Sequence, residues 1–342
     1  KYLVEYFRGN AKLLAEDGYF TDFISNGVST ELCFVAFCAF TLIIIFAGVQ
    51  NGIERVSKIM MPILIVLSVI IAVYSVTRPG ALAGVKYFLV PNVKNFSWMT
   101  VVSAMGQMFY SLSIAMGILI TFGSYMKKDT AIEDSTRNVE VFDTGIAIMA
   151  GLMIIPAVFA FSGGDPDTLQ AGPSLMFITI PKVFQNMGFG TVIGIVFFLL
   201  VLFAAVTSSI ALTESAVSTF EDELGWGRKK ATVLVGVIML VLGSLSSLGY
   251  GPLAGIKIIG MQFLDLFDFL TNSVMMPIAA LLTSLLVSRV VGIDKIEEEI
   301  IHGESAFRRK KVFVVMIKYL CPVFAIIILL SSVANALGWI KM

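Results

Sequence analysis

The 342-residue chain carries 24 acidic and 24 basic residues, and hydrophobic residues make up 57% of it while charged residues make up 14%. This composition excludes an ordinary soluble domain, and the zero net charge gives no reason to expect a nucleic-acid partner. Three cysteines (Cys33, Cys38 and Cys321) and one histidine, His302, are too few for the usual zinc or iron sites.

Apolar segments of membrane-spanning length recur along the chain. They lie at about 32–49, 59–76, 98–124, 145–161, 191–212, 231–249, 263–288 and 312–337. The sequence has no series of short alternating strands, so helices rather than a barrel satisfy the backbone in lipid. We therefore expect an all-α polytopic protein in the lipid bilayer of the cell (plasma) membrane.

The distribution of basic residues predicts the orientation. The loops near Arg55, near Lys127, at 228–230 and at 289–311 hold most of the Lys and Arg. By the positive-inside rule these loops are cytoplasmic, which puts the C-terminus at Met342 on the extracellular side.

A first polar interruption, residues 106–117, lies in the middle of the segment 98–124. It combines glutamine, serine and glycine residues within an otherwise apolar run. Such residues let a helix unwind and expose amides and carbonyls to a ligand in the middle of the membrane. The alternative is a close helix crossing that uses the small residues for contact.

The outer loop 162–190 is rich in Gly, Pro and Asp but contains an apolar stretch, Leu175–Phe184, that is too short to span. This pattern predicts helical pieces over the mouth of the bundle. Either a lid or a packed surface loop is compatible with it.

A second polar interruption lies in the segment 191–212. On a helix Ala204, Thr207 and Ser208 share one face, where a carbonyl and two hydroxyls could supply oxygen ligands to a small, hard cation. Alternatively, the hydroxyls bond back to carbonyls one turn earlier.

Three motifs occur in order along the chain. Gly106-Gln-Met-Phe-Tyr-Ser-Leu-Ser113 is followed by Ala204-Ala-Val-Thr-Ser-Ser209 and Phe220-Glu-Asp-Glu-Leu224, with support from Gly52–Pro62 and from Asp268-Phe269. Together they resemble the neurotransmitter:sodium symporter family, most closely its bacterial amino-acid transporters with eleven helices. The resemblance covers essentially the whole chain and implies an inverted-repeat transporter bundle with a discontinuous helix.

The resemblance also implies an organisation. Residues 1–97 would hold a remnant of helix three, an outer loop and helices four and five. Residues 98–289 would form the complete second inverted repeat, helices six to ten, with the lid loop 162–190. Residues 290–342 would form an inner loop and helix eleven. Helices one and two would be absent, so residues 1–342 alone are expected to be inactive.

By the same resemblance, Ala204, Thr207 and Ser208 correspond to one sodium site, and Ser111 and Asp143 to the other. The remaining sodium ligands would come from the absent first helix. The amino-acid substrate pocket would be lined by Phe109, Tyr110, Ser111, Ser113, Met116, Ser209 and Leu212. The outer gate would contain Tyr110 and Asp268, and the inner gate would contain Tyr125 and Asp222.

Three positions depart from the family pattern. Met116 replaces an aromatic residue, and its flexible thioether predicts a broad preference for hydrophobic amino acids. Ala115 replaces a glycine, which makes the helix break less evident. Asp143 is an acid in a predicted span, and Ala147 lacks the serine of chloride-dependent members. Asp143 therefore either supplies the charge that chloride provides elsewhere, or is a solvated acid at a helix start beside Glu140.

The resemblance implies sodium-coupled symport of an amino acid by alternating access, with Na⁺ as the co-transported ion and no organic cofactor. The resemblance does not decide whether the protein forms a homodimer. The alternatives are an ion channel or a structural membrane subunit. No enzymatic motif is found in the sequence.

Overall fold

The computed structural model describes residues 1–16, 18–164, 172–303 and 306–336. Within these ranges the regular structure is helical, and an isolated antiparallel bridge joins Ile258 and Met261. The predicted all-α architecture is confirmed. The C-terminal end at Met342 and residues 165–171 of the predicted lid loop lie outside the described residues, so the orientation of the C-terminus stays a prediction.

Seven helical stretches in the described part of the chain are long and apolar enough to cross a membrane. They are Gly27–Phe46, Val49–Val76, Ile132–Ser162, Gly190–Leu224, Arg228–Leu248, Phe263–Val291 and Lys310–Ala336. Each overlaps a predicted span. The remaining predicted span, 98–124, is divided into two shorter helices. Large apolar side chains such as Ile43 and Leu330 are exposed on these helices, as expected for surfaces that face lipid.

The chain divides into two compact units, which differ from the three segments predicted from the resemblance; that division stays a prediction. Unit 1 comprises Lys1–Asn92, Gly145–Thr213 and Phe220–Lys257. Unit 2 comprises Val93–Thr144, Glu214–Thr219 and Ile258–Met342, of which residues 304–305 and 337–342 are not described.

Unit 1 begins with six helices. They are α1 (Tyr2–Phe7), α2 (Ala11–Leu14), α3 (Tyr19–Ser25), α4 (Gly27–Phe46), α5 (Arg55–Val76) and α6 (Ala81–Leu89). Asn26 caps α4, since its side chain accepts a hydrogen bond from the backbone N–H of Ser29 at 3.0 Å. A π-helical turn, Val49–Glu54, leads directly into α5.

Later helices of the chain contribute to both units. They are α7 (Trp98–Ser111), α8 (Ile118–Ser124), α9 (Ile132–Ser162), α10 (Ile180–Gln185), α11 (Gly190–Leu224) and α12 (Arg228–Leu248). A capping box of Ser97 and Thr100 starts α7. At the end of α11, Gly225 adopts the left-handed conformation with φ of 61°, which is typical of a helix C-terminus.

The last five helices belong to unit 2. They are α13 (Phe263–Asp268), α14 (Met276–Leu285), α15 (Ile293–Gly303), α16 (Lys310–Val315) and α17 (Cys321–Ala336). Three π-helical segments, Phe269–Met275, Leu286–Val291 and Met316–Leu320, connect or extend them. A small buried cluster of Phe109, Met276 and Ile328 joins α7, α14 and α17.

The core of unit 1 is built on aromatic side chains from α1, the segment 175–185 and α11. The rings of Tyr2 and Phe198 stack with centroids 5.0 Å apart, and the hydroxyl of Tyr2 donates to the carbonyl of Phe177 at 2.8 Å. Tyr6 packs so closely on Gly194 that a Cβ there would lie 2.3 Å from the tyrosine ring. These contacts position α11, which carries the predicted hydroxyl face.

The segment 175–185 of the predicted lid loop is helical, as expected. A π-helical turn, Leu175–Thr179, continues into α10. In α10, Ile180, Val183 and Phe184 are fully buried in the aromatic core. This part of the loop is therefore packed, and its action as a lid stays a prediction.

Candidate functional site

The helix in the first polar interruption is broken, as the sequence predicts. Helix α7 ends at Ser111 and α8 begins at Ile118. Between them Ser113, Ala115 and Gly117 have positive φ angles of 54°, 62° and 80°. Residues other than glycine rarely adopt this backbone conformation, and each such residue costs about 1–3 kcal/mol of stability. Such strain is concentrated at functional sites, so the break is the centre of the candidate site.

The end of α7 is joined to α9 through two of the predicted sodium ligands. The hydroxyl of Ser111 donates to Oδ1 of Asp143 at 2.6 Å. Asp143 is half-buried and lies about three turns after the start of α9 at Ile132. It is therefore not a helix-start residue, and a hydroxyl and a carboxylate converge at the broken helix.

A second set of bonds in unit 2 holds α8 against residues 214–219 of α11. The phenol of Tyr125 donates to Oε1 of Glu214 at 2.7 Å, and the Glu214 side chain is fully buried. Ser215 donates to the backbone carbonyl of Met116 at 3.5 Å and accepts from Thr121 at 3.4 Å. Both sides of the helix break are thus anchored by side-chain hydrogen bonds.

Glu214 is a residue that the sequence reasoning missed. The sequence predicts Asp222 as an inner-gate residue together with Tyr125, and that assignment stays a prediction; the structure adds Glu214 as a hydrogen-bond partner of Tyr125. Asp222 is exposed in the last turn of α11 and belongs to unit 1. The sequence does carry a signal that could have identified Glu214: it is an acidic residue within a spanning helix, and such residues mark functional sites in membranes.

The predicted hydroxyl face lies on the part of α11 that belongs to unit 1. The Thr207 hydroxyl donates to the carbonyls of Phe203 at 3.1 Å and Ala204 at 3.0 Å. Ser208 is exposed, while Ala204 and Thr207 are half-buried. The back-bonding alternative is therefore realised at Thr207. It does not remove the lone pairs of the hydroxyl oxygen, so a cation can still be ligated there.

The remaining predicted pocket residues are divided between the units. In unit 1, Ser209 shares a hydrogen bond of 3.1 Å with the buried hydroxyl of Thr41, and Leu212 is exposed. In unit 2, Phe109 is buried, whereas Ser113 and Met116 are half-buried within the break.

The predicted outer-gate residues belong to unit 2. Tyr110 is exposed and lines a cavity of about 160 Å³, together with Phe109, Asn272 and Met276. Asp268 ends α13, and its Oδ1 accepts a hydrogen bond from Asn272 at 2.6 Å. Asn272 therefore lines the same cavity as Tyr110 and also donates a hydrogen bond to Asp268.

Comparison with known proteins gives a consistent result along nearly the whole chain. Residues 3–339 match the model of the sodium:neurotransmitter symporter family. An uncharacterized sodium-dependent transporter of Bacillus subtilis, YhdH, is 33% identical over 336 residues, which cover 97% of this chain and 74% of YhdH.

More distant relatives include an uncharacterized sodium-dependent transporter of Methanocaldococcus jannaschii. It is 30% identical over 264 residues, covering 75% of this chain and 52% of the relative. A similarly described protein of Haemophilus influenzae is 31% identical over 292 residues, covering 85% of this chain and 62% of that protein.

Among solved structures, the chain is similar to MhsT in complex with L-phenylalanine. The TM-score is 0.84 at 33% sequence identity, over 97% of this chain and 75% of the MhsT chain. Both the sequence and the backbone therefore agree with one family of membrane transporters.

We expect Gly117→Ala to destabilise the protein. Gly117 has a φ of 80°, and a Cβ there would lie 2.5 Å from the Ser215 hydroxyl oxygen. The free energy of unfolding in mixed micelles should fall by about 1–3 kcal/mol. Gly106→Ala is the matched control, because Gly106 lies in α7 and a Cβ there meets nothing within 4 Å. Equal stabilities of the two variants would contradict the prediction.

We expect Tyr125→Phe to lower the free energy of unfolding by about 1.5–3 kcal/mol, because it removes a hydrogen bond to a buried carboxylate. Tyr319→Phe controls for the loss of a hydroxyl at an exposed position. The measurement is again equilibrium unfolding in mixed micelles, and a Tyr125→Phe variant as stable as the control would refute the assigned contact.

Proposed function

Because the chain belongs to the sodium:neurotransmitter symporter family, we propose that the whole protein is a sodium-coupled symporter of amino acids that prefers hydrophobic ones. The helix break at residues 112–117 is the observation that carries this proposal. The chain spans 74% of the length of YhdH and smaller shares of the other two relatives, so the activity proposed is that of the full-length protein.

The proposed substrate site uses the backbone that the break frees from helical hydrogen bonding. Amides and carbonyls near Ser111 and Ser113 bind the charged amino and carboxyl groups of the amino acid. Its side chain contacts Phe109 and Met116. The bound L-phenylalanine of MhsT, which is 33% identical over 97% of this chain, supports an amino acid as the substrate class.

The proposed sodium sites use oxygen atoms from two regions of the chain. Ser111 and Asp143 supply ligands to one ion, and Ala204, Thr207 and Ser208 supply ligands to the other. Hydroxyl, carbonyl and carboxylate oxygens are suitable ligands for a hard cation. The residues of each set are adjacent: Ser111 bonds to Asp143, and Thr207 bonds to the Ala204 carbonyl.

Sodium couples to the substrate because both use the same broken helix. Binding of Na⁺ beside Ser111 stabilises the conformation that binds the amino acid, and the sodium gradient then drives inward movement by alternating access. The chemistry is binding and release, with no covalent step. No observation on the described residues favours a channel or a purely structural subunit.

Transport by the full-length protein in proteoliposomes tests the proposal. An inward sodium gradient should drive uptake of radiolabelled L-phenylalanine, and an equal potassium gradient should not. Excess leucine or tryptophan should compete, whereas selectivity for a small polar amino acid would contradict the proposed substrate class. Residues 1–342 alone are expected to show no sodium-dependent uptake in this assay and no sodium-dependent binding of radiolabelled L-phenylalanine in detergent.

Asp143→Asn should raise the sodium concentration for half-maximal uptake roughly ten-fold, since it removes a carboxylate that contacts Ser111. Asp134→Asn, in the exposed first turn of α9, is the control and should leave sodium dependence unchanged.

We also expect wild-type uptake to persist when gluconate replaces chloride. Loss of uptake in gluconate would refute the role of Asp143 as the substitute for chloride.

A further inference from the structure

A second cavity in unit 2 has features of a ligand site and lies apart from the helix break along the chain. Its volume is about 470 Å³, within the range of small-molecule sites in proteins. It is lined by the beginning of α9, by α15, by Phe307 and Arg309 in the connection to α16, and by α16 with Met316 directly after it. By the positive-inside prediction these helix ends face the cytoplasm.

The wall of this cavity is mainly apolar. Ile300 is buried on α15, and the rings of Phe307 and Phe313 lie 5.6 Å apart at an angle of 57°. Met316 extends the apolar wall toward the membrane-spanning part of the chain. An aliphatic or aromatic body of a ligand would be desolvated against these side chains.

The charged groups of the cavity are mostly acidic. Among its described lining residues, the charged side chains are three carboxylates (Glu133, Glu140 and Glu299) and one guanidinium, Arg309. Nη1 of Arg309 lies 2.9 Å from Glu140, and its Nε lies 3.9 Å from Glu133. The lining therefore keeps two net negative charges, and this potential attracts cations and repels anions.

Arg309 is held in place rather than available to a ligand. The hydrogen bond with Glu140 and the charges of Glu140 and Glu133 raise the pKa of Arg309 above its ordinary value. The backbone N–H of Arg308 also donates to Glu133 at 2.8 Å. Glu299 is exposed and makes no ion pair within the described part of the chain, so its carboxylate is the group best placed to meet an incoming cation.

We propose that this cavity binds an organic ammonium ion with an apolar body, with the ammonium near Glu299 and the body against Phe307 and Phe313. The aromatic rings favour a cation as well as an apolar group, because their faces carry negative potential. The ammonium can come from a free amine or from the headgroup of an aminophospholipid, since the lining reaches the membrane-spanning segment.

Calorimetric titration of the full-length protein in non-ionic detergent tests the proposal with 4-phenylbutylammonium and 4-phenylbutyrate, which share a body and differ in charge. The ammonium should bind and the carboxylate should not. Glu299→Gln should weaken ammonium binding roughly five-fold, as expected for one lost charge at contact distance. Glu298→Gln, on an exposed neighbour that is not among the described lining residues, should have no effect.

Equal binding of the two probes, equal effects of the two variants or no binding of the ammonium would each overturn the proposal. None of these results would bear on transport, because uptake is not measured. Repeating the titration in nanodiscs identifies the source of the ammonium. Competition by phosphatidylethanolamine that disappears in Glu299→Gln indicates a lipid headgroup, whereas an affinity for the ammonium probe in phosphatidylethanolamine nanodiscs equal to that in detergent indicates a free amine.

Discussion

In the hydrocarbon of a bilayer every backbone N–H and C=O needs a hydrogen-bond partner, and an unbroken helix supplies all of them. The segment between Ser111 and Ile118 departs from this arrangement, with Ser113 and Ala115 in the left-handed region. Turn-like bonds keep part of the backbone satisfied, for example from Ile114 N–H to the Phe109 carbonyl at 2.9 Å. The carbonyls and amides released by the break are the groups on which the proposed substrate site depends.

The same constraint explains how acidic residues are accommodated in the spanning helices. Asp143 accepts a hydrogen bond from Ser111, Glu214 from Tyr125, and Glu31 from both Ser244 and Ser247. In each case a hydroxyl from another helix stabilises a carboxylate that would be costly to leave without donors. Asp143 differs from Glu214 in its partial exposure, which leaves it accessible to an ion, whereas Glu214 is fully buried and anchors α8.

The back-bonding of hydroxyl groups on α11 is compatible with the proposed sodium site. Thr207 bonds to carbonyls one turn earlier, as serine and threonine commonly do in membrane helices. This bond uses the hydroxyl hydrogen and directs the oxygen lone pairs elsewhere, so back-bonding and cation binding are not exclusive. It also brings the Thr207 hydroxyl and the Ala204 carbonyl, two of the three proposed ligands, within 3.0 Å of each other.

The sequence by itself determined the membrane class, seven of the spans and the position of the helix break, because the length of an apolar run and a cluster of small polar residues are local properties. Through family resemblance it also predicted Ser111 and Asp143 as neighbouring sodium ligands; the structure joins the two by a hydrogen bond, and their role in sodium binding stays a prediction. Only the tertiary structure decided that Ala115 adopts a positive φ, that Tyr125 pairs with Glu214 and that residues 175–185 pack into an aromatic core. The last two features depend on residues far apart in the chain, whose proximity arises from helix packing and is not encoded in any one segment.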